Sequence, residues 1–198
     1  MDGGPAPGRR DAAVVSEPRA IRLVDLAVAV PLAGLAAPVV AASALAIRLD
    51  DGGPVFFTQT RVGAQRQPFT VYKLRTMRDG AVTRVGRWLR RSRVDELPQL
   101  WNVVRGDMSL VGPRPITPAD VARLAWTGPD ADARWSVRPG ITGPTQLSTV
   151  CDAARALQRD VTWATSATVG DHLACLGRTV AASLLGRDHP RVRSERWA

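Results

Sequence analysis

Cysteine, histidine and aromatic residues are scarce in this 198-residue chain, and each shortage removes a class of chemistry. The two cysteines, Cys151 and Cys175, have no CxxC spacing and no histidine ladder beside them. Neither a disulfide framework nor a zinc centre is therefore expected, and a reducing compartment follows. His172 and His189 stand apart from each other and are assigned surface or core roles. No recognition-helix or aromatic-stacking pattern accompanies the basic residues, which argues against a nucleic-acid module. Acidic residues are in the minority as well, 18 Asp+Glu against 27 Lys+Arg, for a formal net charge of +9. Nearly all of the positive charge is arginine, suited to bidentate phosphate recognition, so nucleotides and lipid headgroups fit the balance. The length suits one domain with a core, with or without one attached extra element.

What is present begins with an arm. Residues 1–20 hold Gly, Pro, Ala and Arg without an apolar period, which reads as a disordered segment. Residues 24–47 are then almost wholly apolar, interrupted by Asp25 and Ser43. At about 1.5 Å per residue such a run is long enough to cross a hydrocarbon core of about 30 Å. Three features oppose a simple span: Pro31, Gly34 and Pro38 fall in its middle, where proline bends a helix. The flanks add a fourth. Arg9, Arg10, Arg19 and Arg22 precede the run, and Arg48, Arg61 and Arg66 follow it, so the positive-inside rule draws both ends to one face. Residues 21–49 are expected as a kinked, re-entrant membrane helix that is too apolar for too long to be a cleaved leader.

After the turn Asp50-Asp51-Gly52-Gly53-Pro54, residues 55–61 and 69–77 are rich in β-branched and aromatic side chains. They predict a short hairpin closed by residues 63–68. Lys73 and Arg75 share one face of its second strand, either solvated or aimed at an anion. Residues 83–93 set Val85, Trp88 and Leu89 against Arg84, Arg87 and Arg91, the pattern of an amphipathic helix on a membrane surface or against a core. Thr117-Pro118 opens another helix, ended by Gly128-Pro129. Residues 152–164 and 171–186 read as two further helices, the second with Leu173, Leu176, Val180 and Leu184 as a packing stripe. Residues 187–198 form a mobile tail.

The chemistry is concentrated in residues 90–115, RRSRVDELPQLWNVVRGDMSLVGPRP. Asp95 and Glu96 are adjacent, preceded by Arg90, Arg91 and Arg93 and followed by the rigid turn Gly112-Pro113-Arg114-Pro115. Carboxylates hemmed in by arginine suggest a site for phosphate, a metal ion or both. Asp95 is expected to cap a helix with Pro98 in its first turn, running to Gly106 and placing the dyad at a positive helix end. A plain cap and a plain first-turn acid would also explain the pair. Arg138-Pro139-Gly140-Ile141-Thr142-Gly143-Pro144 is a second rigid loop, which offers amides, Thr142 and Arg138 to an anion or is simply a turn.

The succession PVFFTQTRVG, YKLRTM, TRVGRWLRRSRVDELPQLWNVVRGDMSLVGPRP and VRPGITG, behind the apolar segment, resembles the bacterial sugar transferases that act on polyprenyl phosphates, the monotopic phosphoglycosyl transferases. The resemblance covers roughly residues 20–185 and looks like the family's minimal form. It implies an α+β, mostly helical monotopic membrane protein, with a re-entrant helix, a short hairpin and amphipathic surface helices. Residues 50–186 would be the catalytic domain, on the cytoplasmic face of the bacterial cell membrane. The implied reaction moves a sugar 1-phosphate from a UDP-sugar to a polyprenyl phosphate and releases UMP, as the first membrane step of exopolysaccharide or other glycoconjugate assembly.

By the same resemblance, Asp95 would be the nucleophile and Glu96 its partner, and the two would hold Mg2+. Arg90 and Arg114 would meet phosphate, with Lys73, Arg75 and Arg138 as further substrate-binding residues. Membrane lipids, a second copy of the chain or downstream glycosyltransferases are the implied partners. Three places depart from the family pattern. Ala37 precedes Pro38 where serine is usual, the stretch between Met77 and Thr83 is short, and Pro144-Thr145-Gln146-Leu147 follows PGITG. The last departure keeps a second reading in play, a catalytically impaired paralogue that serves as a membrane-bound assembly partner.

Overall fold

The computed structural model describes residues 17–148 and 152–184. Residues 1–16, Cys151, His189 and the tail 187–198 lie outside the described residues. The architecture is α+β and mostly helical. A long helix α1 (Arg19–Asp51) leads into an antiparallel hairpin, β1 (Phe56–Val62) and β2 (Pro68–Leu74), and then a miniature hairpin, β3 (Met77–Arg78) and β4 (Ala81–Val82). Next come α2 (Arg84–Ser92), α3 (Gln99–Arg105), β5 (Ser109–Val111), α4 (Pro118–Arg123), β6 (Gly140–Thr142), α5 (Ala153–Ser166) and α6 (Val169–Leu184). Strands β5 and β6 pair in parallel.

Helix α1 continues through both Pro31 and Pro38, and among the described residues it is the one helix long and apolar enough to cross a membrane. Its buried positions are Ile21, Asp25, Ala29, Ala36, Ser43 and Ile47, spaced by four or seven residues and therefore on one face. Leu23, Val30, Leu35, Leu45 and Leu49 lie exposed around the rest of it. Both ends are tied to the same folded body. Near the start, Arg22 donates to the carbonyls of Val103 (2.6 Å) and Val104 (3.0 Å) at the end of α3. Near the finish, Ile47 packs with Leu74 and Leu89, and Arg75 pairs with Asp51.

Asp25 is fully buried although it sits in this apolar helix. Its Oδ1 accepts from the Leu110 amide of β5 (3.0 Å) and lies 3.1 Å from Nε2 of His172, itself fully buried on α6. One carboxylate thus joins the long helix, a central strand and the last described helix.

Several expectations need correcting. Residues 17–20 do not belong to a disordered arm, since Glu17 pairs with Arg138 and the helix starts at Arg19. The second hairpin strand ends at Leu74 and not at Met77: one further cross-strand bond, from the Arg75 amide to Val55 O, follows it, and Met77 belongs to β3. Asp95 caps no helix. Arg93 ends α2 in the left-handed region (φ 59°), Val94–Glu96 form a 3-10 turn, and α3 begins at Gln99. Gly106 does terminate α3, at φ 96°. Thr117 caps α4 as expected, in a reciprocal capping box with Asp120, but that helix stops at Arg123 and a 3-10 segment, Pro129–Ser136, follows. On α6 His172 and Cys175 are buried and Leu176 packs against the core, whereas Leu173 and Val180 are exposed, so the packed face takes in Leu176 of the expected stripe and leaves those two outside it. On α2 Leu89 is buried and Val85 packs beside it, as the amphipathic pattern predicts, while Trp88 is 58% exposed.

The loops carrying GPRP and RPGITG interlock through their backbones. Gly112 N donates to Thr142 O (2.9 Å) and Gly140 N to Pro113 O (2.9 Å). A Cβ on Gly140 would stand 2.0 Å from Gly112 N, and one on Gly143 would stand 2.1 Å from Gly112 O, so neither position admits a side chain.

Replacing Asp25 with Ala leaves the Leu110 amide and the His172 imidazole buried without their acceptor. Asp25→Ala is expected to lower stability by about 3 kcal/mol, read as a drop in Tm in lipid nanodiscs.

Candidate active site

The dyad is positioned by a short relay of backbone contacts. Helix α2 begins at Thr83, whose Oγ1 accepts from the Gly86 amide (2.9 Å). Gly86 then rests on the backbone of Thr76, where a Cβ would fall 2.1 Å from Thr76 O. This close approach lets Arg90 Nε donate to Thr76 Oγ1 (2.8 Å), fixing the guanidinium one turn before the dyad. The left-handed Arg93 reverses the chain, and the 3-10 turn that follows presents Asp95 and Glu96.

Lys73, the only lysine of the chain, reaches from β2 to Glu96 Oε1 at 2.8 Å. Arg93 Nη1 stands 3.7 Å from Glu96 Oε2, and the charge of Arg114 also acts on Glu96. Burial would push Glu96 up, but Lys73, helped by Arg93 and Arg114, holds it below the usual carboxylate range. Asp95 is treated in the opposite way. Burial and then the neighbouring Glu96 charge push its pKa up to about 6, against the weaker pull of Lys73 and Arg90. Among the described residues no side chain donates to Asp95. Two adjacent acids are thus separated in role by their surroundings, one ion-paired and one underneutralised.

Arg114 lies at the mouth of the interlocked loops, where Arg134 Nη2 donates to the Arg114 carbonyl (2.6 Å) and Arg61 Nη1 to that of Pro115 (3.1 Å). Arg134 is itself locked to Asp160 (2.9 Å) in a fully buried pair. Arg61, counted from the sequence as a flanking charge and not as a site residue, has its pKa lowered by burial and by the nearby Arg114 charge. Two guanidiniums thus share one neighbourhood.

Lys73, Arg90 and Arg114 therefore gather around Asp95 and Glu96, and two other sequence candidates do not. Arg75 forms a two-pronged pair with Asp51 at the end of α1 and donates to Pro54 O (2.5 Å). Arg138 is bound to Glu17 and to Gly106 O (2.8 Å), at the far end of α3 from the dyad. The RPGITG loop makes no anion cradle either. The Gly140 amide is bonded to Pro113, and the Thr142 hydroxyl lies 2.9 Å from that of Thr179. Thr76 is a positioning residue that sequence reasoning missed, since its partner Gly86 is recognisable only from the close approach.

Two hard oxygen ligands with no third acidic or histidine side chain cannot cage a metal ion, and no group of three or more occurs among the described residues. They do suit magnesium, which binds one or two carboxylates and completes its shell with substrate phosphates and water.

A family model described as bacterial sugar transferase matches residues 17–186, which takes in every element above. The chain belongs to this family. Among its relatives is a UDP-glucose:undecaprenyl-phosphate glucose-1-phosphate transferase of Caulobacter vibrioides, 46% identical over 140 residues. The aligned part is 64% of this chain and 52% of that protein. An undecaprenyl-phosphate glucose phosphotransferase of Komagataeibacter xylinus is 44% identical over 64% of this chain and 27% of its own length. A UDP-N-acetylgalactosamine-undecaprenyl-phosphate N-acetylgalactosaminephosphotransferase of Aeromonas hydrophila is 41% identical, over 64% and 33% respectively. The sugar transferase chain thus spans about half or less of these relatives.

The raised pKa of Asp95 gives a stability signature. Its folded value, about 6, lies above the ordinary 3.8, so the protonated form favours folding and that contribution is lost as pH rises through 6. In EDTA, Asp95→Asn is expected to be more stable than wild type at pH 7.5 by about 1–2 kcal/mol, a figure discounted for partial exposure. The gap should close toward pH 4 in thermal unfolding, and a gap that widens there would contradict the assignment.

Proposed function

We propose that this sugar transferase moves a sugar 1-phosphate from a UDP-sugar to a polyprenyl phosphate, through a covalent intermediate on Asp95. The observation that carries the reading is the asymmetric dyad: among the described residues Asp95 has no side-chain donor, while Glu96 is held by Lys73 at 2.8 Å. The names of the relatives support the two substrate classes.

In the first half-reaction, a carboxylate oxygen of Asp95 attacks the phosphorus that carries the sugar. The bond from that phosphorus to the bridging oxygen breaks, and UMP departs with the electron pair. In the second, a phosphate oxygen of the lipid attacks the same phosphorus, the acyl phosphate bond breaks, and the Asp95 carboxylate is restored. The product is a polyprenyl diphosphate sugar. Splitting the transfer lets a water-soluble donor and a lipid acceptor use one small site in turn.

An anion attacking a diphosphate must be offset by positive charge, which Arg90, whose charge acts on Asp95, and Arg114, whose charge acts on Glu96, would supply. Lys73 keeps Glu96 ionised, so that this partner remains available as an oxygen ligand or proton acceptor. Asp95 and Glu96, with the donor's phosphate oxygens, would hold magnesium, which supplies further neutralisation of the diphosphate.

The membrane placement belongs to the same proposal. Because both ends of α1 contact one folded body and arginines flank both ends, α1 is read as a re-entrant anchor, with the site on the cytoplasmic surface.

Mixing the full chain with a panel of UDP-sugars and Mg2+, without lipid, is expected to release one UMP per active enzyme and leave the labelled phosphosugar on the protein. Asp95→Asn should abolish both signals, and an active Asn variant would remove the covalent role. A wild-type chain silent toward every donor would favour the assembly-partner reading. Lys73→Met strips Glu96 of its nearest cation and is expected to slow UMP release by about 10- to 100-fold, with a pH profile shifted to higher pH.

A further inference from the structure

Arg134 is the only lysine or arginine among the described residues that is buried outright, and its head group is engaged both at its edge and over its face. Nε donates to Asp160 Oδ2 (2.9 Å) and Nη2 to the carbonyl of Arg114 (2.6 Å). Its Cζ lies over the rings of Trp135 (4.5 Å) and Trp126 (5.0 Å). Asp160 accepts at its other oxygen, Oδ1, from the hydroxyl of Thr145 (2.7 Å), which is buried as well. Thr145, Asp160 and Arg134 thus form one line of bonds that ends on the backbone of a site residue.

An ion pair sealed from water is a poor means of gaining stability, since desolvation offsets most of the attraction and well-packed apolar side chains serve as well. Apolar side chains could not hold the carbonyl of Arg114. Pro115 follows it and brings no amide, so this side of the loop offers only acceptors. The orientation of that carbonyl sets ψ of Arg114, and with it the direction in which the side chain leaves the loop. Upstream, Gly112 and Pro113 are bonded to Thr142 and Gly140, and downstream Arg61 holds the carbonyl of Pro115 (3.1 Å). Arg134 supplies the bond at Arg114 itself.

We propose that Arg134 is a positioning residue for the transfer: held by Asp160 and Thr145, it fixes the Arg114 backbone so that the Arg114 guanidinium meets the donor's diphosphate. The proposal rests on the reaction above and adds what aims one of its phosphate-binding arginines. It also gives Thr145, part of the Pro144-Thr145-Gln146-Leu147 departure from the family pattern, a place in support of catalysis.

The test is a double-mutant cycle on the full chain in lipid nanodiscs, read as the rate of UMP formation at limiting UDP-sugar with Mg2+. Arg134→Lys keeps a cation for Asp160 but has no fork with which to reach the Arg114 carbonyl at the same time. It is expected to slow UMP formation by about tenfold or more. With Arg114→Ala already in place there is no guanidinium left to aim, and the same substitution should change the rate by less than about twofold. A merely structural role gives the same factor in both backgrounds, and that result overturns the proposal.

Thr145→Val keeps the side-chain shape and leaves the ion pair in place, so it guards against a fold defect in the lysine variant. It should slow the otherwise intact chain by about threefold and have no effect beside Arg114→Ala. If Arg134→Lys does not fold, Thr145→Val decides: no slowing, or equal slowing in both backgrounds, overturns the proposal. If wild type forms no UMP, the reaction fails, and the aiming role is decided by equilibrium binding of UDP with Mg2+. The same measurement serves if Arg114→Ala is too slow to time. The Kd for UDP should rise by about tenfold in Arg134→Lys and stay unchanged when the substitution is added to Arg114→Ala. Equal weakening in both backgrounds, or none in either, overturns the proposal.

Discussion

The buried carboxylate of Asp25 is the constraint on which the arrangement depends. An ionisable group inside a long apolar helix is unfavourable unless it is met by donors. Here those donors are the backbone amide of Leu110 and the ring of His172, each contributed by a different part of the chain. Leu110 lies in β5, and four residues later the chain reaches Arg114 at the site. Arg22, three residues before Asp25, holds the end of α3, the helix that starts just after the dyad. The first turns of the apolar helix are thus fastened to both segments that flank the chemistry.

A second theme is that charge at the site is deliberately unbalanced between neighbours. Glu96 receives a lysine at hydrogen-bond distance and Arg93 beside it, whereas Asp95 feels the charges of Lys73 and Arg90 without a bond to either. The arginines follow the same logic. Arg134 and Arg75 are paired with carboxylates and brace the fold, while Arg61 and Arg114 crowd each other. Burying like charges together is unfavourable in isolation, and such crowding is suited to a ligand that brings negative charge with it.

Much of this was legible in the sequence. The apolar helix, the hairpin, the Thr117 cap and the Gly106 terminus follow from local patterns, and the dyad with Arg90 and Arg114 came from a block long enough to be specific. What local pattern could not show is where long side chains end. Arg75 and Lys73 alternate on paper as equals, yet one turns to Asp51 and the other to Glu96, because the strand stops between them at Leu74. Asp95 looks like a helix cap by residue type, but the left-handed Arg93 places it in a 3-10 turn instead. Gly112, Gly140 and Gly143 read as ordinary turn residues until their backbones are seen in contact. Burial of His172 is likewise a tertiary fact, since its side-chain partner Asp25 lies 147 residues away.

The attachment of α1 at both ends bears on how this protein can be handled and rebuilt. A helix that served only as a tether could be exchanged for any apolar segment, or removed to yield a soluble enzyme. Here removal would uncover Leu110, His172 and the carbonyls of Val103 and Val104, together with the apolar floor formed by Leu74 and Leu89. Solubilisation is better sought by recolouring the outward residues Leu23, Val30, Leu35, Leu45 and Leu49, which leaves the inward face as the scaffold of the site. The long helix is, in engineering terms, a part of the domain and not an appendage to it.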